Sequence, residues 1–224
     1  FVANNGYLAT EVDGSVTNEL QTISRTGTTV TLSNGGGTFT DSVNTYTAGT
    51  GIDITNNVIS ASDICGLSIG DTYQGGIIFY LDASGCHGLI SAPTDQSTGI
   101  QWYNGSYTIT TAFASCVGCG DGNSSMIVYN QGLGSYAAQL CYDLNSGGYT
   151  DWYLPSKYEL NLMYENIGQG NSLGLGNVGG FANNNYWSST EYDNNFACVQ
   201  YFYNGYLYNF SKFNSFYVRA VRAF

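Results

Sequence analysis

Basic side chains are scarce in this sequence: five lysines and arginines stand against 16 aspartates and glutamates, and the formal net charge is −11. Binding of nucleic acid or of an anionic membrane surface needs a basic footprint, so we expect neither. Apolar runs of the roughly 20 residues that span a bilayer are also missing, as is a basic signal-peptide segment. Because the sequence opens at Phe1 without methionine, we expect a piece of a longer protein.

Charged residues make up only 9% of the chain, and glycine, asparagine, serine, threonine and tyrosine take their place. This composition is typical of a secreted or virion β-rich protein rather than of a cytoplasmic helical enzyme. We therefore expect the protein on a virion, in a tail fibre, or outside a cell and on its surface.

Histidine is nearly absent, and this bears on metal binding and catalysis. The motif "CVGC" at 116–119 could supply half of a zinc site, but the chain has a single His87 and no second such motif. We expect disulfides or buried thiols among the six cysteines, whose 15 possible pairings the sequence leaves open. These cysteines are Cys65, Cys86, Cys116, Cys119, Cys141 and Cys198.

Catalytic groups are equally hard to find, so we expect no enzyme. His87 follows Cys86 in what reads as a strand-edge turn, and a nucleophile would need a positioned base there. Paired carboxylates for glycoside hydrolysis are not identifiable either. The candidate acids read as helix and loop surface: Asp143, Asp151, Glu159 and Glu165.

Residues 1–62 differ in character from residues 63–224. The runs 28–41 and 51–62 alternate as short strands broken by glycine and asparagine turns, with few large apolar groups. Such a segment is either a loose β appendage or one that packs against copies of itself. It looks like the β-rich stalks of phage tail fibres and trimeric adhesins, which suggests a homotrimer.

Residues 63–224 predict an α+β domain with short antiparallel strands and two helices. Residues 75–82, 87–93 and 99–103 read as strands. A first helix is predicted over 135–144, with Ser135 as its N-cap and Gly147 just past its end. A second is predicted over 155–168 by a capping box of Ser156 and Glu159, a core stripe and a C-cap. The stripe and cap are Leu160, Met163, Ile167 and Gly168.

The segment 194–216 concentrates aromatic rings: nine of its twenty-three residues are tyrosine or phenylalanine, and only Lys212 is charged. Asn204-Gly205 predicts a two-residue hairpin turn in which Tyr203 faces Tyr206 and Val199 faces Phe210. Alternation then places most of the rings on one face. That face is either a buried sheet or a recognition surface, and the interspersed asparagine and serine favour recognition.

Three motifs carry a resemblance to a known family: "DWYLPSKYELNLMY" at 151–164, "YWSSTEYDNN" at 186–195 and "YVRAVRAF" at 217–224. Together they resemble the variable proteins of diversity-generating retroelements, whose variable region lies on a C-type lectin fold related to formylglycine-generating-enzyme-like domains. In that family a reverse transcriptase randomises adenines, so asparagine codons become a scatter of residues on an exposed ligand-binding face.

The resemblance implies a variable region of about 194–216. Its implied ligand-binding positions are Phe196, Cys198, Val199, Tyr201, Tyr203, Tyr206, Leu207, Tyr208, Phe210, Ser211, Phe213, Ser215 and Phe216. Trp187, Phe202, Gly205, Lys212 and the tail 217–224 are then scaffold, with Arg219 and Arg222 in structural ion pairs.

The resulting hypothesis is a receptor-binding or adhesion protein that recognises a protein or glycan ligand on a host or neighbouring cell. The alternative is a fixed-sequence secreted carbohydrate-binding lectin. In that case the acidic run 191–195 is the candidate calcium site, although it offers only two carboxylates and calcium prefers several closely spaced oxygen ligands. We otherwise expect no cofactor.

Overall fold

The computed structural model describes residues 22–33, 37–40, 52–55, 58–61 and 65–224. The chain divides into two compact units. One comprises Phe1–Gly49 with Asp53–Ile59, and the other Thr50–Ile52 with Ser60–Phe224. The predicted roles of stalk and oligomerisation segment for residues 1–62 stay predictions.

The described residues before Cys65 form short antiparallel strands, as the alternating pattern predicts. The strands β1 (Ile23–Thr26), β2 (Thr29–Leu32) and β3 (Gly37–Thr40) make one sheet, and β4 (Ile52–Thr55) pairs with β5 (Val58–Ala61). In the three-stranded sheet Val30 is buried, whereas Ile23 and Phe39 are 73% and 56% exposed. This sheet therefore buries little apolar surface of its own.

The unit that contains residues 65–224 is built on two sheets. A four-stranded sheet has the order β14-β8-β7-β6, and a five-stranded sheet has the order β12-β11-β10-β13-β9. Their strands are β6 (Thr72–Tyr73), β7 (Gly76–Leu81), β8 (Gly88–Ser91), β9 (Ser97–Gln101), β10 (Asn185–Glu191), β11 (Phe196–Tyr201), β12 (Leu207–Ser211), β13 (Ser215–Val218) and β14 (Val221–Ala223). All pairs are antiparallel except β10 with β13. The fold is thus mixed α+β and rich in strands.

Two predicted helices are present within this unit. The helix α3 (Lys157–Ile167) follows the capping box of Ser156 and Glu159, and it buries the predicted stripe of leucine, methionine and isoleucine. The helix α2 (Ala137–Tyr142) is shorter than predicted, and Tyr136 rather than Ser135 is its N-cap.

A further helix corrects the prediction of only two. The helix α1 (Gly120–Gln131) buries Gly120, Asn123, Ser124 and Ile127, which give no apolar stripe. Its polar face can be buried because its side chains hydrogen-bond to backbone carbonyls of neighbouring loops. Ser124 Oγ donates to Leu154 O at 3.2 Å, and Asn123 Nδ2 donates to Ala114 O at 2.6 Å. Tertiary hydrogen bonds therefore replace the hydrophobic periodicity on which the sequence pattern depends.

The C-terminal tail ties the unit together through the predicted arginine ion pairs. Arg219 is 1% exposed, bonds Asp95 at 2.8 Å and lies over the Phe181 ring. Arg222 binds both carboxylate oxygens of Asp151, at 2.7 and 2.9 Å. The structural role predicted for both arginines is confirmed.

The sequence predicts Glu159 on the surface of a helix or loop, and this prediction is wrong, because the side chain is fully buried. Its Oε1 accepts from Gly118 N at 2.7 Å and its Oε2 from Ser156 N at 2.7 Å. Burial raises the pKa of Glu159, and these backbone hydrogen bonds oppose the rise. The carboxylate joins the start of α1 to the start of α3.

Four of the six cysteines are paired: Cys65 with Cys86, and Cys116 with Cys119. Cys141 and Cys198 are free thiols, and both are buried. The sulfurs of the "CVGC" motif are therefore bonded to each other. Across the described residues, no helix has the length and apolarity that crossing a membrane requires.

Candidate functional site

The candidate site begins at the hairpin formed by β11 and β12, whose register differs from the predicted one. Gln200 pairs with Leu207 and Val199 with Tyr208, and the connection is a four-residue loop over 202–205. Tyr201 O accepts from Gly205 N at 2.7 Å, and Tyr201 N donates to Tyr206 O at 2.9 Å. The predicted two-residue turn is wrong because the Phe202 ring leaves the strand for the core.

Phe202 is fully buried, and its ring centre lies 4.5 Å from that of Tyr186 and 4.6 Å from that of Phe181. The loop takes Phe202 and Tyr203 out of the predicted strand, so each residue of β11 pairs two positions earlier in β12 than predicted, as Val199 does with Tyr208 instead of Phe210. Since side chains alternate with a period of two, a shift of two residues leaves every remaining side chain on its predicted face. The face assignment thus holds although the partners change.

One face of the hairpin carries a chain of touching rings, which we call the aromatic array. Its members are Tyr201, Tyr203, Tyr206, Tyr208, Phe210 and Phe216. Tyr201 is the centre, with ring centres 5.2 Å from Tyr203, 4.8 Å from Tyr208 and 5.9 Å from Phe210. The array therefore continues from the hairpin loop across β12.

The inner end of the aromatic array is fixed in the core. The Phe210 ring lies 5.3 Å from that of Phe216, which lies 4.9 Å from the fully buried Trp187. Trp187 Nε1 donates to Ile100 O at 2.9 Å, so the indole itself cannot turn freely. The outer rings of Tyr203, Tyr206 and Tyr208 are 54%, 61% and 48% exposed. Exposed rings thus stand on a rigid base.

The predicted site residues divide by exposure. Phe196, Leu207 and Phe213 are exposed like the outer tyrosines, as is Ser215, whereas Tyr201, Phe210, Ser211 and Phe216 are half-buried. Two residues require correction. Val199 is fully buried because its side chain points into the core beside Trp187, and Cys198 is 7% exposed, with its Sγ 3.1 Å from Asn209 Oδ1. Neither presents a surface to a ligand.

Tyr107 joins the site although no motif or spacing in the sequence indicates that it belongs there. Its hydroxyl lies 3.1 Å from Ser211 Oγ, and its ring centre is 4.9 Å from that of Tyr103. Tyr107 is 44% exposed. A separation of 104 residues along the chain means that only the tertiary fold brings this tyrosine to β12.

A buried ion pair holds the end of the hairpin. Lys212 Nζ lies 2.5 Å from Glu191 Oε1, and both side chains are inaccessible to solvent. Lys212 also donates to Thr108 O at 3.1 Å and Asn194 O at 2.9 Å. Burial lowers the pKa of Lys212, and Glu191 opposes that effect. The scaffold role expected of Lys212 thus has a physical basis.

The acidic run 191–195, considered above for calcium, has its oxygens engaged within the protein. Both oxygens of Glu191 accept from Thr110 N, at 3.0 and 2.9 Å, in addition to the lysine. Asp193 Oδ1 accepts from the backbone N–H groups of Asn195 and Phe196, at 2.7 and 2.8 Å. In the part of the chain that the structure describes, no cluster of three or more metal-ligating side chains occurs.

We expect the two free thiols to resist alkylation in the native protein. Burial raises the pKa of Cys141 and of Cys198, and for Cys198 the nearby Lys157 opposes the rise. Iodoacetamide at pH 8 should therefore react at least about tenfold slower than with free cysteine, since each rise of one in pKa lowers the thiolate fraction about tenfold.

Mass spectrometry of labelled peptides measures this rate, with the protein unfolded in denaturant as the reference. Labelling of native Cys198 as fast as in denaturant would contradict the burial described above.

Most of the unit that contains residues 65–224 matches the model of one known protein family. Residues 92–222 match the model of the Lcl C-terminal domain, and this range includes all three described helices and the whole aromatic array. A comparison with curated proteins found no match. The matched range exceeds half of the chain.

Proposed function

Because the chain belongs to the Lcl C-terminal domain family, a C-type-lectin-like domain, we propose that it is a ligand-binding protein of the variable class made by diversity-generating retroelements. Its ligand-binding surface, which we call the display surface, is the aromatic array together with Phe196, Leu207, Ser211, Phe213 and Ser215. The relation to formylglycine-generating-enzyme-like domains stays a prediction.

The observation that carries this proposal is the exposure of touching rings on a rigid base. Tyrosine offers broad amphipathic contact with few rotatable bonds, so an exposed tyrosine surface binds partners at low entropic cost. A folding core alone would not leave Tyr203 and Tyr206 more than half exposed. Large exposed apolar patches on a soluble domain are commonly interaction sites.

The division between base and display surface also fits a protein whose binding residues change. The sheet is held by Trp187, the buried Lys212–Glu191 pair and the tail, none of which belongs to the display surface. The outer rings of Tyr203, Tyr206 and Tyr208 are about half exposed, so their replacement leaves the base intact. Substitution of these outer rings therefore costs little stability, whereas substitution of a residue in the base costs considerably more.

We expect natural variation to follow this division. Among sequences of the gene from several isolates, substitutions should concentrate at the exposed and half-buried positions of the display surface. Val199 and Phe202, which are fully buried in the same segment, should remain constant. Sequencing the gene, with its neighbourhood searched for a reverse transcriptase and a near-copy of its 3′ end, is the measurement.

The matched reference positions are exposed residues on α3, Tyr158 and Glu165. Equal substitution frequencies at these residues and at Tyr203, Tyr206 and Tyr208 would contradict retroelement-driven variation.

The second candidate is a fixed carbohydrate-binding lectin, and the stacked pair Tyr201 and Tyr203 favours it because aromatic planes suit the apolar faces of sugars. Glycan-array binding abolished by Tyr203→Ala, combined with an invariant display surface among isolates, would select this candidate. Binding to a protein would select the first.

The setting that we propose is a virion tail fibre or a cell surface, with a protein or glycan on a host or neighbouring cell as the partner. The three-stranded sheet of β1, β2 and β3 supports this setting, because its exposed apolar side chains, Ile23 and Phe39, suit packing against further copies, such as a homotrimer. We also propose that the domain is not an enzyme, since its two free thiols are buried and lack a raised thiolate content.

A further inference from the structure

A second candidate site opens where α1 begins. It is a pocket of about 470 Å³, which falls in the size range of small-molecule sites. Its polar and aromatic lining comes from the start of α1, the end of α2 and the segment 150–153, and includes Asp121, Tyr142, Thr150, Asp151, Trp152 and Tyr153. No lining residue belongs to the aromatic array or to the strands β10–β13. The pocket is therefore separate from the proposed ligand surface.

Tyr153 supplies a hydroxyl that has no hydrogen-bond partner within the described residues. The residue is 4% exposed, and its backbone is bonded in both directions to Val221, with N–O distances of 2.9 Å. The ring packs against the start of α1, since a Cβ on Gly120 would lie 2.8 Å from Tyr153 Cε2. Within residues 65–224 its hydroxyl makes no hydrogen bond, and its oxygen is not fully enclosed, since Tyr153 lines the pocket. The pocket is therefore where a hydrogen-bond partner for this hydroxyl can enter.

The charge around this hydroxyl selects the kind of partner. Asp151 is neutralised by both nitrogens of Arg222 that contact it, and the guanidinium lies 3.9 Å from the centre of the Tyr149 ring. Asp121 makes no hydrogen bond or ion pair within the described ranges and is exposed. Burial, together with Glu159, Asp121 and Asp151, raises the pKa of Tyr153, and Arg222 opposes only part of this rise. The hydroxyl thus stays protonated in a negative field, which disfavours anions.

The rim of the pocket adds an aromatic surface for a cation. Tyr142, the last residue of α2, is 51% exposed. An ammonium group against such a ring gains roughly 0.5–1 kcal/mol at an exposed site. A carboxylate, a hydroxyl oxygen and an aromatic ring therefore line the same pocket. This set matches the three N–H donors and the apolar stem of an alkylammonium group.

We propose that this pocket binds a primary ammonium group, either the side chain of a lysine in a partner protein or a free alkylamine. The ammonium donates to the Asp121 carboxylate and to the Tyr153 hydroxyl, and the Tyr142 ring lies beside it as the cation–π surface. The site is independent of the display surface, so one chain can hold two ligands of different chemistry.

Titration calorimetry of the full chain tests this proposal with Nα-acetyl-lysine methylamide as the probe. Its Nε-acetylated form is the matched control, because it keeps the length and removes the charge. We expect a dissociation constant of about 1 mM for the probe and at least about tenfold weaker binding of the control. Equal binding of both, or no binding of the probe, would overturn the proposal. Propylamine binding as tightly as the probe assigns the site to free amines, whereas weaker binding assigns it to lysine in a protein.

Two variants place the binding in this pocket. Asp121→Asn removes the charge with little change of shape and should weaken probe binding about tenfold, and Tyr153→Phe removes only the hydroxyl and should weaken it about threefold. Glu165→Gln, which removes one exposed charge on α3, and Tyr203→Ala in the aromatic array should leave binding unchanged. Unaltered binding in both pocket variants would sink the assignment. Thermal unfolding of each variant checks the fold, and Asp121→Asn remains informative if Tyr153→Phe fails to fold.

Discussion

Replacing Lys212 with methionine should lower the free energy of unfolding of the unit around residues 65–224 by about 3–5 kcal/mol. The lysine contacts Glu191 at 2.5 Å, and neither side chain reaches solvent. Its removal leaves the Glu191 carboxylate buried without a counter-charge. It also removes the hydrogen bonds that the carbonyls of Thr108 and Asn194 accept. Methionine fills a similar volume, so the loss reports the charge and its hydrogen bonds rather than a cavity.

Denaturant unfolding followed by tryptophan fluorescence measures this effect, because all three tryptophans lie in this unit. Adding Glu191→Gln to the lysine variant should recover part of the loss, since it removes the unpaired charge. Lys157→Met is the matched control, a partly exposed lysine whose replacement should change stability by less than about 0.5 kcal/mol. A loss below about 1 kcal/mol for Lys212→Met would show that water reaches the pair.

The adjacent rings Phe202 and Tyr203 should respond in opposite ways to truncation. Phe202→Ala should cost about 3–5 kcal/mol of unfolding free energy, because the ring is fully buried against Phe181, Tyr186 and Tyr164. Tyr203→Ala should cost less than about 1 kcal/mol, because that ring is 54% exposed and stacks on Tyr201.

The same fluorescence-detected unfolding measures both variants, and each serves as the other's control because they share the loop and its backbone. Similar losses in the two variants would mean that the loop, rather than the Phe202 ring, carries the stability. They would also remove the distinction between base and display surface on which the proposed function depends.

The helices show how far local pattern reaches. The sequence predicted α3 with its capping box, its buried stripe and its end at Gly168. This was possible because a capping box and an apolar stripe both depend on residues only three or four positions apart. The sequence missed α1, whose buried residues are small and polar. Such a face is stabilised only by hydrogen bonds to distant carbonyls, as from Ser124 to Leu154. A window of neighbouring residues does not contain those partners.

The aromatic segment shows the same limit at the site. Alternation assigned the side chains to two faces correctly, yet which face was buried depended on what packs against it. Val199 shares the face of the tyrosines, but it lies nearer the middle of the sheet and pairs with the fully buried Trp187 of β10. Tyr208 instead lies on the edge strand β12, and Tyr206 directly precedes that strand. One face is thus core at one end and surface at the other.

By itself the sequence determined the α+β class, the strands before Cys65, the capped α3, the ion-paired tail and the aromatic segment as the place to look for a ligand. These features depend on residue type and short spacing. The tertiary structure alone decided which rings are exposed, that Phe202 leaves the hairpin, that Glu159 and Glu191 are buried, and that Asp121, Tyr142 and Tyr153 line one pocket. Each of these depends on contacts between residues far apart in the chain, which burial and hydrogen bonding select only once the chain has folded.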